Sequence, residues 1–116
     1  MSITLFGINN CDTVKKARRW LDDHQVKYQF HDVRADGLDP TIVTSWLTRL
    51  GCEKVVNKRS TTWKQLDEAQ RNQLDNKTAL ALILQHPTLI KRPLLEGDDI
   101  LEVGFKAELY QSLFNS

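Results

Sequence analysis

Cys11 is the side chain here best placed for chemistry, because of what surrounds it in Ile3-Thr4-Leu5-Phe6-Gly7-Ile8-Asn9-Asn10-Cys11-Asp12-Thr13-Val14-Lys15-Lys16-Ala17. The β-branched and aromatic run before Gly7 predicts a strand over 2–6. Gly7, Asn9 and Asn10 predict a turn. Val14, Ala17 and Leu21 recur at helical spacing and predict a helix from about Asp12 to His24. Cys11 therefore falls where turn becomes helix. The first N–H groups of a helix lack internal acceptors and carry partial positive charge. Thiols at such ends ionise more readily, with pKa values falling from ~8.5 towards roughly 3.5–7.5, and the thiolate is the nucleophile. Cysteine also serves as a small, inert, buried hydrophobe. Asn9, Asn10, Asp12 and Thr13 point instead to a polar, partly exposed loop, although the Asp12 carboxylate disfavours a neighbouring thiolate. From the residues alone the reactive and structural readings of Cys11 balance.

The elements that must position this thiol follow in order. Val26 to Val33 predicts a second strand, with Tyr28 and Phe30 alternating against Gln29 and His31. A strand–helix–strand order favours a right-handed parallel crossover. After a turn at Ala35-Asp36-Gly37-Leu38, Asp39-Pro40 reads as N-cap plus first-turn proline. The helix it opens carries Ile42, Val43, Trp46, Leu47 and Leu50 and stops at Gly51. A loop is expected over 52–60, then a short helix through Trp63, Leu66 and Ala69 capped by Thr61 or Thr62. Gln70 to Gln73 is ambiguous. Asn76 opens a helix over 77–85 that is apolar nearly all round and so expected to be buried. His86-Pro87 ends it. A strand starting at Pro93 or Leu94, a tight turn at Glu96-Gly97-Asp98-Asp99 and a strand over 100–103 predict a hairpin. Phe105, Leu109 and Leu113 predict a last helix.

Length predicts one domain of 116 residues, large enough to fold without disulfides or metal. With 41% hydrophobic and 27% charged residues the composition is that of an ordinary globular chain, and a net charge of +1 argues against nucleic acid as partner. No apolar run reaches the ~18 residues of a membrane span, and no signal peptide is read at the N-terminus. Two cysteines far apart do not suggest a secreted disulfide framework, so a reducing, cytoplasmic setting is expected. His24, His31 and His86 show no ligand spacing with either cysteine, so no metal site is expected. Trp20, Trp46 and Trp63 read as packing residues. Lys15, Lys16, Arg18 and Arg19 read as a solvated face, and Cys52, just past Gly51, as structural.

The β-α-β, helical, β-β-α order with a cysteine opening the first helix resembles the arsenate reductase-like family, which includes glutaredoxin-coupled arsenate reductases, Spx-type regulators and small thiol reductases. The resemblance rests on the stretch Gly7 to Ala17, on Asn57-Lys58-Arg59 and on Ile90-Lys91-Arg92-Pro93-Leu94, in that order over nearly the full length. It implies a single α/β domain of thioredoxin-like fold, a four-stranded mixed sheet with a helical insertion at about 38–86. It implies further that Cys11 is the nucleophile, that Arg59 and Arg92 bind an anion, and that Pro93 is a cis-proline beside the thiol. Asn10, Asp12 and Thr13 join Arg59, Arg92 and Pro93 as the candidate substrate- or glutathione-binding set. Arginine suits such a role because its planar fork of donors matches carboxylates and oxyanions.

Two departures narrow this expectation. Arsenate reductases of this type usually have histidine four residues before the cysteine, where this chain has Gly7; their third arginine has no counterpart, since no arginine follows Arg92 and Lys106 is a poor substitute. Spx regulators use a Cys-x-x-Cys switch, where this chain has Val14. The expected function is therefore a glutathione-dependent thiol–disulfide oxidoreductase. It would act on a protein disulfide or a small oxidised or anionic substrate through one cysteine, as a monomer with glutathione as co-substrate and glutaredoxin as a further partner. An arsenate reductase coupled to glutathione and glutaredoxin, and a non-catalytic Spx-like adaptor, are the alternatives.

Overall fold

The computed structural model describes residues 3–97 and 99–114, so the strand expectation at Ser2 and the turn expectation at Asp98 lie outside the described residues. The chain divides into two compact units, one built from 1–32 and 92–116, the other from 33–91.

The first unit holds the sheet. Strands β1 (Thr4–Gly7), β2 (Gln29–Asp32), β3 (Leu94–Glu96) and β4 (Leu101–Val103) lie in the order β2-β1-β3-β4. β1 runs parallel to β2 and antiparallel to β3, and β4 pairs antiparallel with β3. This is the mixed α/β sheet of a thioredoxin-like fold. Helix α1 (Asp12–Asp23) buries Val14, Ala17 and Leu21. These pack with Ile3, Leu5, Leu95, Ile100 and Tyr110 in one core. α1 ends in a Schellman closure, with Gln25 N–H donating to the Asp22 carbonyl, Val26 N–H to that of Leu21, and Gln25 at φ 58° where glycine is usual. That closure consumes Val26, which is why β2 starts at Gln29 and not at Val26 as expected. Tyr28 is drawn aside as well: its hydroxyl accepts from Arg18 Nε at 3.2 Å, and the Arg18 guanidinium lies 4.2 Å from the Phe30 ring centre. Arg18 therefore departs from the solvated face expected for the basic residues of α1.

The last helix, labelled α7 below, spans Ala107–Phe114, and its one fully buried residue is Tyr110. The period-four reading from Phe105 began before the helix did and so missed this phase. Tyr110 meets Trp20 and Phe105 edge-on, with ring centres 5.5 and 4.8 Å apart. Such pairs add about 0.5–1.5 kcal/mol each beyond burial.

The second unit is helical: α2 (Pro40–Leu50), α3 (Cys52–Val55), α4 (Thr61–Lys64), α5 (Glu68–Asn72), α6 (Asn76–Gln85) and a 3-10 turn over Pro87–Leu89. Asp39 caps α2 and Gly51, at φ 87°, ends it, as the sequence predicts. The expected loop over 52–60 instead contains α3, and Val56 bridges to Ile90. The expected cap at Thr61 or Thr62 is Ser60, whose Oγ accepts from Trp63 N–H and donates to the Asn57 carbonyl at 2.8 Å. The ambiguous 70–73 segment belongs largely to α5, fixed by a capping box between Asp67 and Gln70. α6 is not buried all round: Ala79, Leu82 and Ile83 form one covered stripe, while Ala81 and Leu84 are exposed. Apolar content marked that helix correctly, but its neighbours cover only one side.

The Tyr110 hydroxyl is fully buried and has no hydrogen-bond partner among the described residues. Burial pushes its phenol well above the usual tyrosine range, and the Glu102 carboxylate adds to the rise. The unfolded chain releases this proton near pH ~10 and the folded one does not, so stability is lost as pH rises above that value. Tyr110→Phe removes a desolvated hydroxyl that makes no bond. It is expected to leave urea stability at pH 7 unchanged or raise it by about 1 kcal/mol, and to flatten the alkaline decline.

Candidate functional site

Cys11 is the N-cap of α1, in extended backbone geometry at φ −101°, ψ 123°. Its carbonyl accepts from Lys15 N–H at 3.0 Å, while its side chain makes no capping hydrogen bond. The thiol is therefore not committed to the helix it opens. It is free and half-buried, with one side against the core of the first unit. Asn10, Asp12 and Thr13 flank it and are exposed, and Asp12 supplies the only acid of the first turn.

Gly7 ends β1 four residues earlier. A Cβ added there would stand 2.7 and 3.0 Å from the two methyl carbons of Val14, closer than packed carbons come. Val14 is itself wholly buried. The absence of a side chain at position 7 is thus what lets the first turn of α1 lie down on the end of β1. Strand alternation puts Gly7 on the same face as Leu5, and Phe6 on the other. His31, paired with Phe6 in register and 4.9 Å from its ring, lies with it on the face away from α1.

The antiparallel pairing of Phe6 with Leu94 brings the start of β3 to the sheet end from which the Cys11 loop leaves. Pro93, the residue before that strand, is buried, and the Arg92–Pro93 peptide bond is cis. The Pro93 carbonyl accepts from Gly104 N–H at 2.8 Å. Arg92 is half-buried beside it. The fold thus gathers Asn10, Cys11, Asp12, Thr13, Arg92 and Pro93 at one end of one sheet.

Arg59 lies in the second unit, exposed, on a turn closed by its own N–H donating to Asn57 Oδ1 at 3.0 Å. Its neighbour Lys58 pairs with Glu53 at 2.6 Å. Cys52 also lies there, a free thiol whose backbone N–H donates to Asn76 Oδ1 at 3.0 Å. Among the described residues no group of three His, Cys, Asp or Glu could hold a metal ion, and no helix is long and apolar enough to cross a membrane.

Two supporting residues escape a sequence reading. Gly104, at φ 82°, lets the chain turn after β4 while its N–H holds Pro93; a glycine between Val103 and Phe105 was the available signal. Ser60, next to Arg59, ties the arginine's turn to α4. The Val14–Gly7 contact left no local signal, because the two side-chain volumes meet only once helix and strand are packed.

A family model described as the ArsC family matches residues 6–113. An uncharacterized protein of Haemophilus influenzae is 50% identical over 112 residues, covering 97% of this chain and 98% of that one. A solved structure of a YffB protein superposes with a TM-score of 0.91 at 45% identity, over 96% of this chain and 97% of the other. The global transcriptional regulator Spx of Streptococcus pyogenes serotype M3 is 30% identical over 108 residues, covering 91% of this chain and 80% of the regulator.

Because Val14 cannot yield far within the core, Gly7→Ala is expected to destabilise the protein by about 1–3 kcal/mol, as overpacking does. Urea unfolding checks this. A Gly7→Ala midpoint equal to that of the unaltered protein would show that α1 is not seated on Gly7.

Proposed function

We propose, from the premise that this chain belongs to the ArsC family, that it is a glutathione-dependent thiol–disulfide oxidoreductase working through Cys11 alone. The observation that carries the reading is a half-buried free thiol at the N-cap of α1, unengaged by its own helix, at the sheet end shared with the cis Arg92–Pro93 bond. In the first step the Cys11 sulfur bonds to one sulfur of a glutathione mixed disulfide. The other sulfur leaves as a thiolate with the bonding electron pair. A second glutathione thiolate then attacks the Cys11-bound glutathione, releasing oxidised glutathione and restoring the Cys11 thiolate. In sum, one glutathione thiolate converts the mixed disulfide into the substrate thiolate and oxidised glutathione, and Cys11 is returned unchanged.

The chain's own residues support each part. The N–H groups that open α1 lack internal acceptors and stand at the position that Cys11 caps. Arg92 offers a two-pronged donor for a glutathione carboxylate; for Arg59, in the other unit, the same role comes from the family likeness alone. The Arg92 backbone beside Pro93 suits an extended peptide. With Val14 in the third position after Cys11, no neighbouring thiol can resolve the intermediate, so the resolving thiol comes from outside. The substrate is a protein disulfide or a small oxidised molecule, the setting is the reducing cytoplasm, and the working form is a monomer with glutaredoxin as a candidate partner.

The likeness to Spx supports a second reading, a non-catalytic adaptor that binds another protein. Oxidised glutathione separates the two. Intact-mass and peptide mapping are expected to find one glutathione on Cys11, none in Cys11→Ser, and an unchanged yield in Cys52→Ser. Arg92→Ala and Arg59→Ala are each expected to slow capture about tenfold, the loss of one charge-assisted hydrogen bond. A Cys11 that reacts no faster than Cys52, with partner binding intact in Cys11→Ser, would favour the adaptor.

A further inference from the structure

α6 is covered on one side only, and its open side has a shape and a charge pattern that fit a copy of itself. Ala79, Leu82 and Ile83 are buried in the helical unit, while Lys77, Ala81 and Leu84 recur along the opposite side as an exposed ridge. Leu84 is the one large apolar side chain among the described residues that stands exposed. A lone surface leucine carries no meaning by itself. This one rises between two grooves that flank the same helix. The larger, of about 330 Å³, runs along α5 and is lined by Asp67, Ala69, Thr78 and Gln85 among others. The smaller, of about 160 Å³, runs along α2, beside Thr44 and Leu80. We infer that this face docks a second copy of the chain, α6 lying antiparallel to α6 across a two-fold axis at Ala81.

A contact between identical faces must match itself after a half-turn. Ala81, the smallest side chain of the ridge, falls on the axis and lets the two helices come close. The antiparallel register then sets Leu84 opposite Thr78 and Lys77 opposite Gln85. Thr78 and Gln85 both line the larger groove, so the Leu84 of each copy is brought to the roomier space that the other leaves open. The charges agree with this placement. Lys77 is the only charged residue of α6, and Asp67 is the only one lining the larger groove, so the half-turn brings opposite signs together. It also lays the positive N-terminal end of each α6 along the negative end of the other. A helix of 10 residues with its two grooves offers less than the ~1,600 Å² of a standard stable complex. The association is therefore reversible and grows with concentration. Every residue of the candidate thiol site belongs to one chain, so the single chain stays the working form when dilute.

The test is analytical ultracentrifugation of the full chain from about 10 μM to about 1 mM. Cys11→Ser and Cys52→Ser are combined as the background, which excludes dimers linked through either native thiol. A monomer–dimer equilibrium is expected, and Leu84→Glu is expected to raise its dissociation constant at least about tenfold, the effect of a charge placed in an apolar contact. In the same background, Ala81→Cys is expected to close a disulfide across the axis under mild oxidation. It should do so at least about tenfold faster than Glu108→Cys, an exposed control on α7. A chain that stays monomeric to the upper limit overturns the inference and leaves the ridge to a partner of another sequence. A dimer indifferent to Leu84→Glu, or an Ala81→Cys chain that links no faster than the control, overturns it by placing the contact elsewhere. Should Leu84→Glu not fold, Ala81→Arg, which sets two like charges on the axis, takes its place with the same expected loss. None of these outcomes bears on the thiol-exchange reading.

Discussion

The seat of α1 on β1 is the constraint from which the rest of the first unit follows. A helix can lie close to a strand only where the strand presents no side chain, and at Gly7 it presents none. Val14 uses that space, and the helix is then locked by Ala17 and Leu21 against Leu5, Leu95 and Tyr110. Fixing the first turn fixes its cap. The position of Cys11 is thus a result of hydrophobic packing. A wholly buried valine and a glycine, neither of them reactive, decide where the thiol stands.

The second constraint is pairing between distant parts of the chain. β3 reaches the Cys11 end of the sheet only by running antiparallel to β1, and it does so with Pro93 at its threshold. Gly104 then ties the Pro93 carbonyl from β4. The candidate site is therefore an end of a sheet, where strands stop pairing and their polar groups turn to other uses. Arg59 belongs to the helical unit and is held by a different logic, an Asn57-centred turn locked by Ser60. The two arginines were alike as residues in the sequence, yet one sits on an exposed turn and the other is half-buried next to a cis bond.

Much of this was readable beforehand, and the reason differs by element. α1 and α2 declared themselves because their apolar residues repeat at helical spacing and their ends carry Cys11, Asp39, Pro40 and Gly51 in roles that local chemistry defines. The order of strands and helices followed from the same signals. β2 was overextended because Val26 looks like a strand residue but is spent closing a helix. α6 looked buried because composition says how apolar a helix is, not how many sides its neighbours cover. Tyr110 was missed because the helix began later than its hydrophobic pattern, which moved the inward phase by one residue. The short helices α3 to α5 are too brief for periodicity and are defined by caps instead. At the candidate site, the cis bond at Pro93 was legible from a family likeness. The steric exclusion between positions 7 and 14 was not, since it exists only between packed elements.

The two-part make-up of the first unit bears on how the protein is born. β1 and α1 lie at the start of the chain, while Leu95, Ile100 and Tyr110, which complete the core against which Cys11 rests, lie near its end. A ribosome releases the thiol early and its shelter late. Throughout synthesis of the helical unit the nascent chain carries a cysteine whose core is still unbuilt. For this protein, the packing that holds the thiol in place waits on the segment that carries Leu95, Ile100 and Tyr110.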